Sequence, residues 1–164
     1  MRSIITLAAM VALPLAACGK TEDSGKAAVV ATSPDSYTIR GEDGAVTVAQ
    51  NASAAAAAAS GLPDFAPLFP GARVSSTVSG VGSGARNAEG GSVVFTSDKT
   101  PRQIIDFYKA RAAATGLASA MDADMGAALM FVGQNKADKR GVQVMASPEG
   151  GGSTVTVTWT RPKT

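Results

Sequence analysis

The chain has 164 residues, 45% of them hydrophobic, which is enough for one domain rather than two. Lysine and arginine number 15 against 13 aspartates and glutamates, an excess too small to mark a nucleic-acid-binding surface. With no histidine and a single cysteine, Ser–His and Cys–His nucleophile pairs, histidine metal sites and any disulfide within the chain are excluded.

Arg2 gives the chain a charged start, Ile4 to Leu13 an apolar stretch, and Leu15-Ala16-Ala17-Cys18 a small-residue end. The apolar stretch is too short for an ordinary membrane span and has the layout of a secretory signal. Its ending, L-A-A-C-G, resembles the lipobox of bacterial lipoproteins, and the only cysteine of the chain stands in it. The resemblance implies that residues 1–17 are a signal peptide and that Cys18 is the lipid attachment site, held in the membrane by acyl chains. Each buried methylene contributes ~0.8 kcal/mol, so several chains together anchor durably. Gly19 stands where a Gram-negative sorting rule would want aspartate for inner-membrane retention. The expected location is therefore the periplasmic face of the outer membrane.

Residues 18–36 mix charge, small side chains and proline without an apolar period, and read as a flexible tether. Residues 37–49 alternate on both sides of the glycine-bounded turn Gly41-Glu42-Asp43-Gly44, which predicts a β-hairpin. A lone hairpin is marginal in water, so it either docks on a larger sheet or is weakly ordered; weak docking is the expectation. Ala52 to Ser60 is almost pure alanine, too short for a free helix, and residues 50–61 are expected to be a linker that flickers into helix between the hairpin and a globular domain over 62–164.

That domain opens on Leu62-Pro-Asp-Phe-Ala-Pro-Leu-Phe-Pro-Gly-Ala72, kept extended by its prolines so that Leu62, Phe65, Leu68 and Phe69 can lie on a core. Val74 and Val78 fall on one face of a strand predicted over Ala72 to Ser79, and Gly80 to Gly91 reads as a flexible connection. Gly80-Val-Gly-Ser-Gly-Ala85 loosely matches a dinucleotide-binding turn, but no helix can open from it.

Val93 to Thr96 suits a strand, and a complete helix signal follows. Thr100 and Gln103 make a capping box around Pro101; Ile104, Ile105, Tyr108 and Ala112 share one face; Gly116 ends the helix and Leu117 can fold back. Ala118 to Met125 reads as a short edge strand. Ala127 to Gly133, the most continuous apolar run, reads as a central strand covered on both faces. Lys136, Lys139 and Arg140 sit in a hairpin loop before a strand over Val142 to Ser147. Ser153 to Thr160 alternates valine and tryptophan with a threonine ladder.

The pieces L-P-x-F-x-x-L-F-P-G-A, V-x-F-T-S-D and P-x-x-I-x-D-F-Y resemble a domain of bacterial lipoproteins and secreted proteins over Leu62 to Thr160. The resemblance implies a location and a fold and carries no catalytic residue across. The expected fold is α+β, a mostly antiparallel sheet of about four to six strands with one amphipathic helix on one face.

Asp122 with Asp124, and Glu42 with Asp43, are pairs of close carboxylates without a third ligand. Met121, Met125, Met130 and Met145 invite comparison with thioether copper clusters, although Met130 and Met145 lie within apolar runs and read as core filling. No catalytic residue, cofactor or metal site is expected.

The reading is a lipid-anchored envelope protein, held by acyl chains on Cys18, that serves as a non-catalytic contact module for another envelope protein. One alternative is a carrier of an apolar small molecule between the sheet and Leu62 to Phe69. The other is a carboxylate-dependent enzyme using Asp122 and Asp124.

Overall fold

The computed structural model describes residues 28–41, 44–82 and 87–163. Cys18, Glu42 and Asp43 therefore lie outside the described residues. In chain order the elements are β1 (Ala28–Ser33), β2 (Ser36–Gly41), β3 (Gly44–Ala49), α1 (Ala52–Ala59), β4 (Arg73–Gly82), β5 (Ala88–Ser97), α2 (Pro101–Ala114), β6 (Ala118–Asp124), β7 (Leu129–Asn135), β8 (Arg140–Glu149) and β9 (Gly152–Pro162).

These nine strands form one sheet in the order β1-β2-β3-β4-β5-β9-β8-β7-β6, with every neighbouring pair antiparallel. The α+β class and the mostly antiparallel sheet stand, but four to six strands is corrected to nine among the described residues. The difference arises at the N-terminal side. The predicted hairpin pairs fully onto β4 through β3, and Ala28–Ser33, within the predicted tether, adds a further edge strand.

Helix α2 follows its sequence signals closely. Thr100 Oγ1 accepts from the Gln103 N–H and the Gln103 side chain accepts from the Thr100 N–H, a reciprocal cap. Ile104, Ile105, Tyr108 and Ala112 are all buried, as the stripe predicts. At the other end Gly116 takes φ +79, and the Leu117 N–H returns to the Ala112 carbonyl at 2.8 Å with its side chain buried.

The alanine-rich linker is a packed helix. Asn51 Oδ1 accepts from the Ala54 N–H at 2.7 Å, and Ala55 and Ala59 face the sheet. Thr77 Oγ1 on β4 donates to the Ala55 carbonyl at 3.0 Å. Small side chains let the helix approach closely, and tertiary packing supplies what eight residues of helix propensity lack.

Both helices cover the same face. On that face Val93 and Phe95 of β5, Val142, Val144 and Ala146 of β8, Val155, Val157 and Trp159 of β9, and Phe131 of β7 are buried. The threonines of β9 point the other way, as the alternation predicts. Gly91 is the direct cross-strand partner of Trp159, and a Cβ there would sit 3.1 Å from the indole and 2.6 Å from the Val78 carbonyl. Glycine is what admits the largest side chain of the sheet.

Three strand readings are corrected. A register shift between Val74 and Ser76 breaks the alternation of β4, so Val74 is buried while Val78 is exposed on the opposite face. β7 is the second strand from the β6 edge; it is covered on one face only, with Phe131 buried and Met130 and Val132 facing outward. Gly80–Gly82 and Ala88–Gly91 continue β4 and β5 rather than forming a flexible connection, and Gly80, Val81 and Gly82 therefore lie in a strand where a nucleotide-binding turn would need a helix start.

Ile104→Ala or Tyr108→Ala should cost ~2 to 5 kcal/mol in urea melts, because each empties a filled site, whereas Arg102→Ala should cost well under ~1 kcal/mol. The opposite order would mean that α2 presents another face to the sheet.

Candidate functional site

Two regions hold the residues that could act on a ligand: the space between α2 and the sheet, and the seam between α2 and β6. The first is built by the proline-rich entry segment. It packs against α2, where Phe69 meets Phe107 edge to face with ring centroids 4.9 Å apart, and Phe107 meets Tyr108 in the same way at 5.1 Å. The Tyr108 hydroxyl donates to the Pro67 carbonyl at 2.9 Å.

Around that bond the space is full. Tyr108, Phe65, Phe95, Ile104 and Phe131 are each at most 1% exposed. Burial pushes the Tyr108 phenol far above its ordinary value of 10, opposed more weakly by the backbone of Phe69. Tyr108 is thus a neutral donor locked in the core and unsuited to proton transfer at ordinary pH. Phe107, which the sequence stripe leaves out, is half-buried and belongs to this cluster; its aromatic neighbour Phe69 is remote in sequence and gives no local signal.

At the seam, the two aspartates of β6 point to the helix side and meet cations of α2. Lys109 Nζ lies 2.6 Å from Asp122 Oδ1, and Arg102 Nη2 lies 3.9 Å from Asp124 Oδ2. Ser119 Oγ also donates to Asp122, and Asp124 Oδ1 accepts from the Gly126 N–H in the following turn. Both aspartates are therefore engaged in holding an edge strand beside a helix. Exposed pairs of this kind contribute ~0 to 1 kcal/mol.

The basic cluster of the β7–β8 hairpin is also structural in part. Arg140 pairs with Asp138 at 2.7 Å, donates to the Thr115 carbonyl at 3.1 Å, and lies over the Phe65 ring at 5.6 Å. It caps the C-terminus of α2, where a cation complements the exposed carbonyls. Beside it a solvent-open groove of about 510 Å³ is lined by Gly116, Ala118, Ser119, Gln134, Asn135 and Lys136. Among the described residues no three or more Cys, Asp or Glu side chains group to hold a metal ion, and no helix is long and apolar enough to cross a membrane.

The fold and these sites define a two-layer α+β domain in which Tyr108, Asp122, Asp124 and Arg140 serve packing and ion pairs. A model of the START domain-like family matches residues 74–160, more than half of the chain, from β4 through β9 with α2 between them. The chain belongs to this family. No curated protein and no solved structure matches the chain.

Two outcomes test the site. Asp122→Asn with Asp124→Asn should lower stability by less than ~1 kcal/mol in urea melts and leave the far-ultraviolet circular dichroism unchanged. Because the unfolded phenol ionises near pH 10 while the folded one resists, stability due to Tyr108 is complete below about pH 10 and declines as pH rises toward the raised value. A Tyr108→Phe chain should lose less stability than the parent between about pH 9.5 and 11.5, as read from urea midpoints across that range.

Proposed function

We propose that this chain is a lipid-anchored cell-envelope protein, fixed through Cys18 at the periplasmic face of the outer membrane. In this reading its START-like domain is a non-catalytic module that binds an envelope partner by surface contact. The observation that carries the contact role is the packing between α2 and the sheet. The volume where an enclosed ligand would sit holds Tyr108, Phe65, Phe95, Ile104 and Phe131. The L-A-A-C-G ending of the leader supports the anchor. The ion pairs of Asp122 and Asp124 support a non-catalytic role, since both carboxylates already serve the α2–β6 seam.

Membership of the START domain-like family favours a second reading, a carrier of an apolar small molecule, because domains of this type are typically ligand-binding and non-catalytic. A ligand under the entry segment would displace Phe65 and break the Tyr108–Pro67 hydrogen bond, so loading would require that segment to swing away from α2.

Fractionation and native mass spectrometry separate these readings. The full chain should take up labelled fatty acid and sediment with outer membranes, and Cys18→Ser should abolish the label; a label that survives the substitution would remove the anchor from the reading. Chain extracted in mild detergent should appear at its calculated lipidated mass and crosslink to an envelope protein in intact cells. Additional retained mass that persists at gentle activation, with no crosslinked partner, would transfer the role to the carrier.

A further inference from the structure

The face of the sheet turned away from the helices is uncovered, and over β1 to β4 it is apolar. Two cross-strand rows make the patch: Val29, Ile39 and Val46 are direct neighbours on β1, β2 and β3, and Tyr37, Val48 and Val78 on β2, β3 and β4. Despite these neighbours Val29, Ile39, Val46 and Val78 remain between 37% and 67% exposed. Among the described residues the only charge on this side of β1 to β5 is Arg73, at the start of β4 and two rows beyond Val78; Arg40 and Glu89 alternate to the helix side. Farther along, the same face becomes polar, where β9 presents Thr154, Thr156 and Thr158, the water-compatible strand formers that an open face calls for. Met130 and Met145 on β7 and β8 also turn outward, a correction to their reading as core filling.

The size of the patch and the start of the chain decide what covers it. Six side chains on four strands ~4.8 Å apart cover roughly 250 Å² of flat area, well short of the ~800 Å² per partner of a stable protein interface. The Tyr37 hydroxyl is the only polar side-chain group of the six, so the patch offers apolar contact and little directional bonding. Cys18 precedes Ala28 by ten residues, a reach of at most ~36 Å. A bilayer holding acyl chains on Cys18 therefore lies within reach of β1, the strand at one end of the patch. Such tethering raises the effective concentration of the surface, so that a contact too small to hold a free protein suffices.

We propose that the open face of β1 to β4 docks on the phospholipid bilayer that holds the acyl chains of Cys18, with Val29, Ile39, Val46 and Val78 at the boundary between headgroups and hydrocarbon. The proposal rests on the reading of Cys18 as the lipid attachment site. Four branched aliphatic side chains add buried apolar area to that of the anchor, and no charge in the patch has to be desolvated. Docked this way the domain lies against the membrane, and α1 and α2 face away from it.

The test uses the full acylated chain in vesicles of phosphatidylethanolamine and phosphatidylglycerol. Acylation occupies the Cys18 sulfur, so a nitroxide label goes only to the thiol introduced by Ile39→Cys, Val46→Cys or Gln143→Cys. All three sites are exposed on the same face, and Gln143 lies on β8, away from the patch. Collisions with oxygen, relative to those with a water-soluble nickel complex, should be several-fold more frequent at the Ile39 and Val46 sites than at the Gln143 site. Equal ratios at the three sites, in a chain that has taken up labelled fatty acid, would overturn the docking while the anchor stands. Spin–spin broadening between copies labelled at the Val46 site would assign the patch to a second copy and also overturn it. A chain that takes up no fatty acid would remove the anchor and the docking with it. Should the labels disturb the patch, amide hydrogen exchange of the unlabelled chain decides the matter: β2 and β3 should exchange several-fold more slowly in the acylated chain on vesicles than in the Cys18→Ser chain in solution, and equal rates would overturn the proposal.

Discussion

One row of side chains ties the two halves of this sheet together. In cross-strand register run Ala49, Thr77, Val93, Val157, Val144 and Phe131, one from each of β3, β4, β5, β9, β8 and β7, and every one is buried. At one end the Thr77 hydroxyl bonds α1, and at the other Phe131 pairs with Asp122, which meets Lys109 of α2. Because strand side chains alternate with a period of two, a one-residue slip of any strand would turn its member of the row away from the covered face and out of the core. The register of six strands is therefore one cooperative choice, and the helices are placed by it.

This dependence explains what could and could not be read from the sequence. Helix α2 was legible because its signals are local: a reciprocal cap, a proline at the first turn, a clean apolar stripe and a terminal glycine. β9 was legible because valine and threonine alternate without interruption. The extra strands were hidden because their pairing is not local. Ala28–Ser33 has two valines but no apolar alternation to mark a strand before β2 lies beside it, and glycines at 80, 90 and 91 resemble a loop in sequence while serving close strand contact in the sheet. The bulge in β4 reverses the facing of Val78, and no composition rule announces it.

The candidate site was legible only as a set of residue types. Asp122 and Asp124 could be picked out as close carboxylates, but their partners Lys109 and Arg102 are contributed by α2, and nothing local in the sequence brings those cations to β6. The methionines misled for the opposite reason. Apolar neighbours suggested burial, whereas β7 stands one strand from the edge with a single covered face, so every second residue of an apolar run meets solvent. Hydrophobicity identifies a strand here without telling which side of it is inside.

The family match begins at Val74 and ends at Thr160, so β1 to β3 and α1 lie before it. They are nonetheless joined to the core by backbone pairing of β3 with β4 and by the packing of Ala55 and Ala59. Their contribution is asymmetric. α1 and the proline-rich segment close the helix-side face toward β4, and the same strands lengthen the outer face, where Val29, Ile39, Val46 and Val78 stand exposed. The domain thus seals one face, where burial raises the pKa of Tyr108, and leaves apolar side chains exposed on the other.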